Sequence, residues 1–545
     1  SKDTDPEKMG NLVSMLNTVL TPSSPKSKLL YNLIAVLTLY RFLSQVYRQG
    51  IGRTLKQALG VVIAAARQVP GVGGLVNAEL QKEIHSIEKE LLGDGDADAN
   101  FSLPATGVKA STLVAKAESA LQQENAMTGQ KWFGVYHELT PDNTLEKLQS
   151  KFWSMYNNSN ALYPAVFPSV RKYEAEIVAF CVDLLHGGAP RQAVGLLTSG
   201  GTESILIACY TYCQMAKKRG ICHPEIICCR TAHGALDKAS HYFNFKLVKL
   251  TADPQTQQMT AAAVKKHITA NTIAVYASAP TFPHGVVDPI EEIAAVTKPR
   301  QLGLHVDNCL GGILLSMLQR ARIFTKPFDF AVDGVTTISV DVHKYGYAPK
   351  GSSVVLFANR DLRALSVCPV TDGLTLYVTP TLQGSRSGAQ IAAAWATLMH
   401  TGLDGYAAAA QRLHGYSQKV EVAVAEMGPD IRLTAKPDCS IVSITSDSLD
   451  IFVVASLMEK KGWNIFTSQD PSSLAICFGE QHGHVLDQWI NDLRDCVSFA
   501  KKNKNIKVEG GAAVYGAAKM LPDSVLEEVM RSYIDVKMTV KSKAA

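Results

Sequence analysis

The sequence predicts an α/β fold, a large domain on a mostly parallel sheet followed by a smaller α+β domain. Three observations carry this. Short β-rich runs alternate with helical stretches from about residue 190, polar and acidic residues collect where those runs end, and the pattern changes after about residue 400.

The series opens with AVGLLTS (193–199), an apolar run ending in Gly-Gly, and TESILIACYTYCQMAKKR (202–219) reads as the helix that follows. EIICC (225–229) reads as a strand and ALDKASHYF (235–243) as a helix. KLVKL (246–250), TIAVYAS (272–278), GLHVD (303–307), GVTTISVD (334–341) and SSVVLF (352–357) complete the strands. In such sheets the functional loops gather at the carboxyl ends of the strands. SIVSIT (440–445), a helix near 448–461, LAICF (474–478) and a helix near 482–500 make the smaller α+β region. The expected organisation is an N-terminal segment over 1–95, a helical arm over 96–180, a large domain over 181–400 and a small domain over 401–545.

Composition narrows the class. The chain has 545 residues, of which 46% are apolar and 19% charged, which excludes a disordered protein. Its net charge of +5 is uneven, with +6 over residues 1–78 and −1 over the rest. A balanced body lacks the basic face that nucleic acid demands. The basic excess lies beside apolar runs, which points to a membrane surface. Eleven cysteines without CxxC pairs fit a reduced compartment better than a disulfide scaffold.

Residues 29–47 (LLYNLIAVLTLY, then Arg41 and FLSQVY) reach the length of a bilayer span if Arg41 snorkels. Arg48, Arg53 and Lys56 follow and would keep the body on the cytosolic side. An amphipathic packing helix or a dimerisation arm is the alternative. The run begins too far in for a signal peptide, and a chain opening on Ser1 leaves room for an upstream targeting segment. Leu92–Asn100 (LGDGDADAN) reads as a linker.

The strongest chemical signal is SVDVHKYGYAPKGSS (339–353), a strand running into a His-Lys pair. Lys344 is a candidate Schiff-base nucleophile, given an environment that lowers its pKa. Pyridoxal phosphate needs such a lysine, a carboxylate for its ring nitrogen, a platform for the ring and donors for its phosphate. Asp307, at the end of GLHVD, supplies the carboxylate, although it also suits a helix N-cap. His233, after EIICC, is the candidate platform. SGGTES (199–204) lies between a strand and a helix, where backbone N–H groups make a phosphate cradle. Each signal is weak alone; their order along the chain, each after a strand, gives them force. No GxGxxG follows a strand, no GxxxxGK[ST] appears, and no His/Cys cluster has zinc spacing, so no metal is expected. Cys228 and Cys229 are expected to fill a buried strand, and Trp132, Trp153 and Trp395 to pack.

TSGGTESI, TAHGALDKA, SAPTFPHGVVDP, LHVDNCLGG and DVHKYGYAPKGSS together resemble the sphingosine-1-phosphate lyases, also called sphinganine-1-phosphate aldolases, over roughly residues 100–530. The resemblance implies a pyridoxal 5′-phosphate enzyme of fold type I (the aspartate aminotransferase fold). It implies retro-aldol cleavage of a sphingoid-base 1-phosphate between C2 and C3 to a long-chain aldehyde and phosphoethanolamine. By motif, Lys344 is the Schiff-base lysine, Asp307 the ring-nitrogen partner and His233 the platform. Gly201, Thr202 and His343 resemble cofactor-phosphate contacts. Gly384 and Ser385 resemble contacts to a neighbouring subunit's cofactor, which implies a homodimer. Lys350 resembles a second lysine near the substrate, while Tyr136, Asn160, Tyr163 and Tyr515 resemble substrate-side residues. An N-terminal membrane segment is typical of eukaryotic members, which implies the endoplasmic reticulum with the body cytosolic; a mitochondrial address is the alternative.

Three departures stand out. Tyr163 occupies a position usually held by His, TDGLTLYVTP (371–380) replaces a usual Trp-Gln-Gly-Gly run, and Ser387 follows the GSR turn where proline is usual. The runner-up function is a pyridoxal-phosphate amino-acid decarboxylase, and a third reading is an inactive membrane-tethered scaffold. Lys350, the tyrosines around it and the N-terminal arm favour a lipid phosphate; intact Lys344, Asp307 and His233 argue against the scaffold.

Overall fold

The computed structural model describes residues 63, 65, 72–95, 100–128, 131–132, 143–372, 376–503, 508 and 523–541. The chain divides into two units, residues 115–515 and a smaller one made of 1–114 with 516–545. In the smaller unit the helices Val72–Leu92 and Asp523–Lys537 pack together, and Lys541 Nζ lies 3.1 Å from Glu88 Oε1. The apolar run 29–47, Tyr136 and Tyr515 lie outside the described residues. Among the described residues no helix is long and apolar enough to cross a membrane.

The larger unit is built on a seven-stranded sheet. Its strands are β1 (Val194–Thr198), β2 (Glu225–Cys229), β3 (Lys246–Leu250), β4 (Thr272–Ser278), β5 (Gly303–Asp307), β6 (Thr337–Val340) and β7 (Ser353–Phe357). They lie in the order β1-β7-β6-β5-β4-β2-β3. Strands β2 to β6 are parallel, and β7 runs antiparallel to both β1 and β6. The central strands are buried along their whole length, as continuous Val, Ile and Ala runs require when helices cover both faces.

Register brings the chemistry to one edge. Ser278 pairs with Asp307 and Asp307 with Ser339, so the carboxyl ends of β4, β5 and β6 align. Thr198 pairs with Ser353, which puts the end of β1 beside the start of β7. Behind this edge a chain of buried hydroxyls joins four elements. Thr198 Oγ1 and Ser204 Oγ lie 2.7 Å apart, Ser204 Oγ and Ser353 Oγ 2.9 Å apart, and Ser353 Oγ donates to the Val340 carbonyl at 3.1 Å.

A second, antiparallel sheet follows, formed by β8 (Arg432–Leu433), β9 (Ile441–Thr445), β10 (Phe466–Gln469) and β11 (Ser472–Cys477) in the order β10-β11-β9-β8. The helices Ile451–Lys460 and Leu486–Lys502 pack against each other beside it. The helical stretch Gly388–Glu426, interrupted at Gly402, contacts both sheets' surroundings and the helices Thr144–Tyr156 and Pro168–Leu184.

Two expectations need correction. The strand expected over 334–341 is only Thr337–Val340, so Asp341 falls in the loop rather than in the sheet. Trp395 packs as expected, stacked on Tyr173 at 4.2 Å, but Trp132 and Trp153 are exposed. Cys228 and Cys229 are buried in β2 as expected, and burial pushes both thiols up.

The GSR turn is anchored from behind. Arg386 makes a two-pronged ion pair with Glu174, with Nη2 3.0 Å from Oε2, and the side chains are only 9% and 19% exposed. Removing one partner of this part-buried pair strands the other and costs about 2 kcal/mol. Glu174→Ala is therefore expected to lower the free energy of unfolding by about that amount, read from urea or thermal denaturation.

Candidate active site

A cavity of about 390 Å³ opens at the aligned strand ends. It is lined by Ser199–Glu203, Ile205, His233, Cys309, Asp341, His343, Lys344 and Gly351. The sequence-predicted Gly201, Thr202, His233, His343 and Lys344 therefore meet in one place. Asp307, buried two residues before Cys309, lies directly behind the lining.

The cradle follows from the double glycine. β1 ends at Thr198, Gly200 takes φ +154°, and the helix Gly201–Lys218 begins with no side-chain cap. Its first-turn N–H groups and its positive dipole end are left for an anion. Gly201 is also a matter of space. A Cβ there would lie 2.8 Å from Cys309 Sγ and 2.9 Å from each Asp341 carboxylate oxygen. Glu203 ties the cradle to the segment before the GSR turn, accepting from Ser199 N at 2.6 Å and from Leu382 N at 3.1 Å.

Asp307 is surrounded by donors. Tyr276 donates its hydroxyl to Oδ2; Cys309 N and Ser339 Oγ donate to Oδ1 at 3.0 and 3.3 Å. Burial pushes this carboxyl up, but His233 nearby and these hydrogen bonds outweigh it and hold it below the usual carboxylate range. A carboxylate kept ionised at this depth suits the protonated nitrogen of an aromatic ring. His233 accepts from Ala235 N at Nδ1 (3.1 Å), which fixes the ring at the start of the helix Ala235–Phe243.

Lys344 corrects one expectation. Burial alone would lower the pKa of its amine, but Asp341, with Oδ2 2.9 Å from Nζ, and Cys309 and Asp307 beyond it raise the pKa. The amine is held as an ammonium, not depressed. His343 is shifted down by burial against the opposing pull of Asp341. Its Nδ1 lies 2.7 Å from the Ser352 carbonyl and donates there. With that proton used, Nε2 donates to a phosphate oxygen only as the imidazolium. Lys350 donates to the His343 carbonyl at 3.2 Å, and burial, then the Lys344 charge, lower its pKa.

Asn160, Gly384 and Ser385 form a second cluster. Asn160 donates to Ser385 Oγ at 3.0 Å and accepts from Arg386 N at 3.2 Å. Tyr163 closes the Asn160 turn (N to Asn160 O, 3.1 Å) with an exposed side chain. None of the four lines the Lys344 cavity. Of the departing stretch 371–380, residues 373–375 lie outside the described residues. Val370 and Tyr377 pair through two backbone hydrogen bonds, and Leu376, Val378 and Leu382 are exposed. Sequence reasoning missed Asp341, Tyr276, Cys309 and Glu203. Asp341 had a signal, an acidic residue three before the lysine; Tyr276 had none, since a tyrosine inside an apolar strand reads as core.

These groups fit pyridoxal 5′-phosphate. The uncapped helix start and the Gly201 cradle suit its phosphate, Asp307 its ring nitrogen, His233 its ring face and Lys344 its aldehyde. Fold and site define a pyridoxal-phosphate enzyme of fold type I. The chain matches the pyridoxal-dependent decarboxylase conserved domain over residues 128–446 and belongs to that family. Within it, the chain belongs with the sphingosine-1-phosphate lyases. It is 36% identical over 513 residues to the sphingosine-1-phosphate lyase of Oryza sativa subsp. japonica, covering 92% of this chain and 93% of that protein. The solved sphingosine-1-phosphate lyase of Burkholderia pseudomallei superposes with a TM-score of 0.74 at 32% identity, covering 81% of this chain and 98% of that one. The glutamate decarboxylase of Lactobacillus brevis shares the fold at a TM-score of 0.64 but only 18% identity, covering 75% and 96%.

A Cβ at position 201 would meet the Asp341 carboxylate and Cys309 Sγ at 2.8–2.9 Å, so these side chains would have to shift. Gly201→Ala is expected to weaken cofactor binding at least about tenfold, or about 1.4 kcal/mol, while the unfolding temperature falls by only a few degrees. Titration of the cofactor into the stripped protein, followed by visible absorbance, reads this.

Proposed function

We propose that the chain cleaves sphingoid-base 1-phosphates between C2 and C3, giving a long-chain aldehyde and phosphoethanolamine. The observation that carries this is identity of about a third with sphingosine-1-phosphate lyases along most of the chain, against 18% for a glutamate decarboxylase of the same fold. The cofactor, when bound, supplies an electron sink at the carbon that loses its neighbour.

The residues divide the remaining work. Lys344 would hold the cofactor through its aldehyde. Asp307, kept ionised, would favour a proton on the ring nitrogen. His233 would serve as the ring platform, and the N–H groups of Gly201 and Thr202, with His343 as the imidazolium, would hold the cofactor's phosphate. Lys350, beside Lys344 and shifted down, is suited to hold the substrate phosphate or to take the C3 hydroxyl proton. Asn160 and Tyr163 serve the substrate side, as do Tyr136 and Tyr515. Tyr163 offers a hydrogen bond where a histidine would offer charge.

The functional unit proposed is a homodimer in which Gly384 and Ser385 meet the cofactor of the neighbouring subunit. Their separation from the cavity of their own chain supports this. The apolar run 29–47 and its basic flank support attachment to the endoplasmic reticulum membrane with the body cytosolic.

Mass spectrometry of products tests the reaction. Purified protein with pyridoxal phosphate is offered a sphingoid-base phosphate together with glutamate and an aromatic amino acid. Aldehyde plus phosphoethanolamine is expected, and Lys344→Ala should abolish both. Carbon dioxide with an amine, and no aldehyde, would make the chain a decarboxylase.

A further inference from the structure

Asp341 is the group in the cavity with no role so far. It leaves β6 at the first loop position and is buried, its side chain 2% exposed. Oδ2 lies 2.9 Å from Lys344 Nζ and 3.7 Å from His343 Nε2. Among the described residues Oδ1 has no hydrogen-bond partner. The carboxylate lies against the helix start, with both oxygens 2.9 Å from where a Gly201 Cβ would be and Cys309 Sγ 2.8 Å from the same point. An ionised carboxylate at this depth needs a cation or several donors beside it.

Lys344 is the nearest cation; His343 Nε2 lies further off at 3.7 Å, and Lys350 also feels the Asp341 charge. On the same loop, His343 donates through Nδ1 to a carbonyl and Lys350 reaches the His343 carbonyl. From β5 and its turn come Asp307, already met by three donors, and the neutral Cys309. His233, after β2, faces Asp307, and Glu203 on the cradle helix is held by Ser199 and Leu382.

We propose that Asp341 is a positioning residue that governs the proton on the Lys344 nitrogen, both as the free ammonium and when that nitrogen is bonded to the cofactor's aldehyde carbon. The proposal rests on the cofactor assignment. When the amine attacks, Asp341 takes one proton from Nζ and the C–N bond forms. The same proton leaves with the hydroxyl as water, and the doubly bonded nitrogen keeps one proton and its positive charge beside the carboxylate. Nothing is oxidised or reduced. An opposite charge this close shifts a titration by about one to three pH units.

The test is a pH titration of the cofactor's visible absorbance in the holoenzyme, for the wild type, Asp341→Asn and Asp341→Glu. The midpoint should fall by at least about one unit in D341N, because the charge favouring the protonated nitrogen is gone. D341E should recover part of the shift. Thermal unfolding checks each fold, and Asp341→Ser stands in if D341N does not fold. A D341N midpoint equal to that of the wild type overturns the proposal. So does tighter cofactor binding at an unmoved midpoint, which would mean that Asp341 faces the cofactor's phosphate as a like charge. A wild type with no visible band in the presence of cofactor would instead overturn the cofactor assignment.

Discussion

The helix Gly201–Lys218 approaches the Lys344 loop so closely that a single Cβ at its first residue has no room. The rest of the site depends on that contact. It brings an uncapped helix start, with its free N–H groups, against a buried carboxylate and a lysine. It holds because the hydroxyls of Thr198, Ser204 and Ser353 join the end of β1, the helix and the start of β7 behind it. Buried hydroxyls with partners are rigid, and rigid backing lets a cavity keep its shape while charges move inside it.

Two buried carboxylates at neighbouring strand ends would repel each other and resist ionisation if left alone. The fold resolves this differently for each. Asp307 is stabilised by donors, the Tyr276 and Ser339 hydroxyls and the Cys309 N–H, so its charge is held in place behind the cavity. Asp341 has Lys344 as its nearest cation, so its surroundings change with the state of that amine. The same edge thus carries one permanent negative charge and one whose partner changes during the chemistry.

The parallel sheet was legible because β2, β3, β4 and β5 are short, apolar and bounded by turns, and their observed ends match the runs that predict them. Lys344, His233 and the Gly201–Thr202 cradle were legible because each follows a strand, and a parallel sheet sends all such loops to one edge, while the role of His343 came with the family resemblance. Asp341 was hidden by a strand drawn one residue too long. A β-rich run gives no sign of where hydrogen bonding stops, and its last residue becomes functional only when it leaves the ladder. The ammonium state of Lys344 was hidden for a related reason. Burial alone lowers an amine's pKa, and only the three-dimensional neighbour reverses the sign.

The cavity and the Asn160–Ser385 cluster are separate, yet they are mechanically joined. Gln390, in the first turn of the helix after the GSR turn, donates its amide to the carbonyls of Pro349 and Lys350 at 3.1 and 2.6 Å. Gly351 takes φ +94°, and the Gln390 side chain lies 3.4 Å from where its Cβ would be. The helix after the GSR turn is therefore hydrogen-bonded to the loop that carries Lys350 and, six residues earlier, Lys344. On the other side, Glu203 links Leu382, two residues before the turn, to Ser199 in the cradle. The turn is thus clamped to both halves of the cavity, the anion cradle through a carboxylate and the lysine loop through an amide. A neighbouring molecule that gripped Gly384 and Ser385 would act on the position of both without touching either.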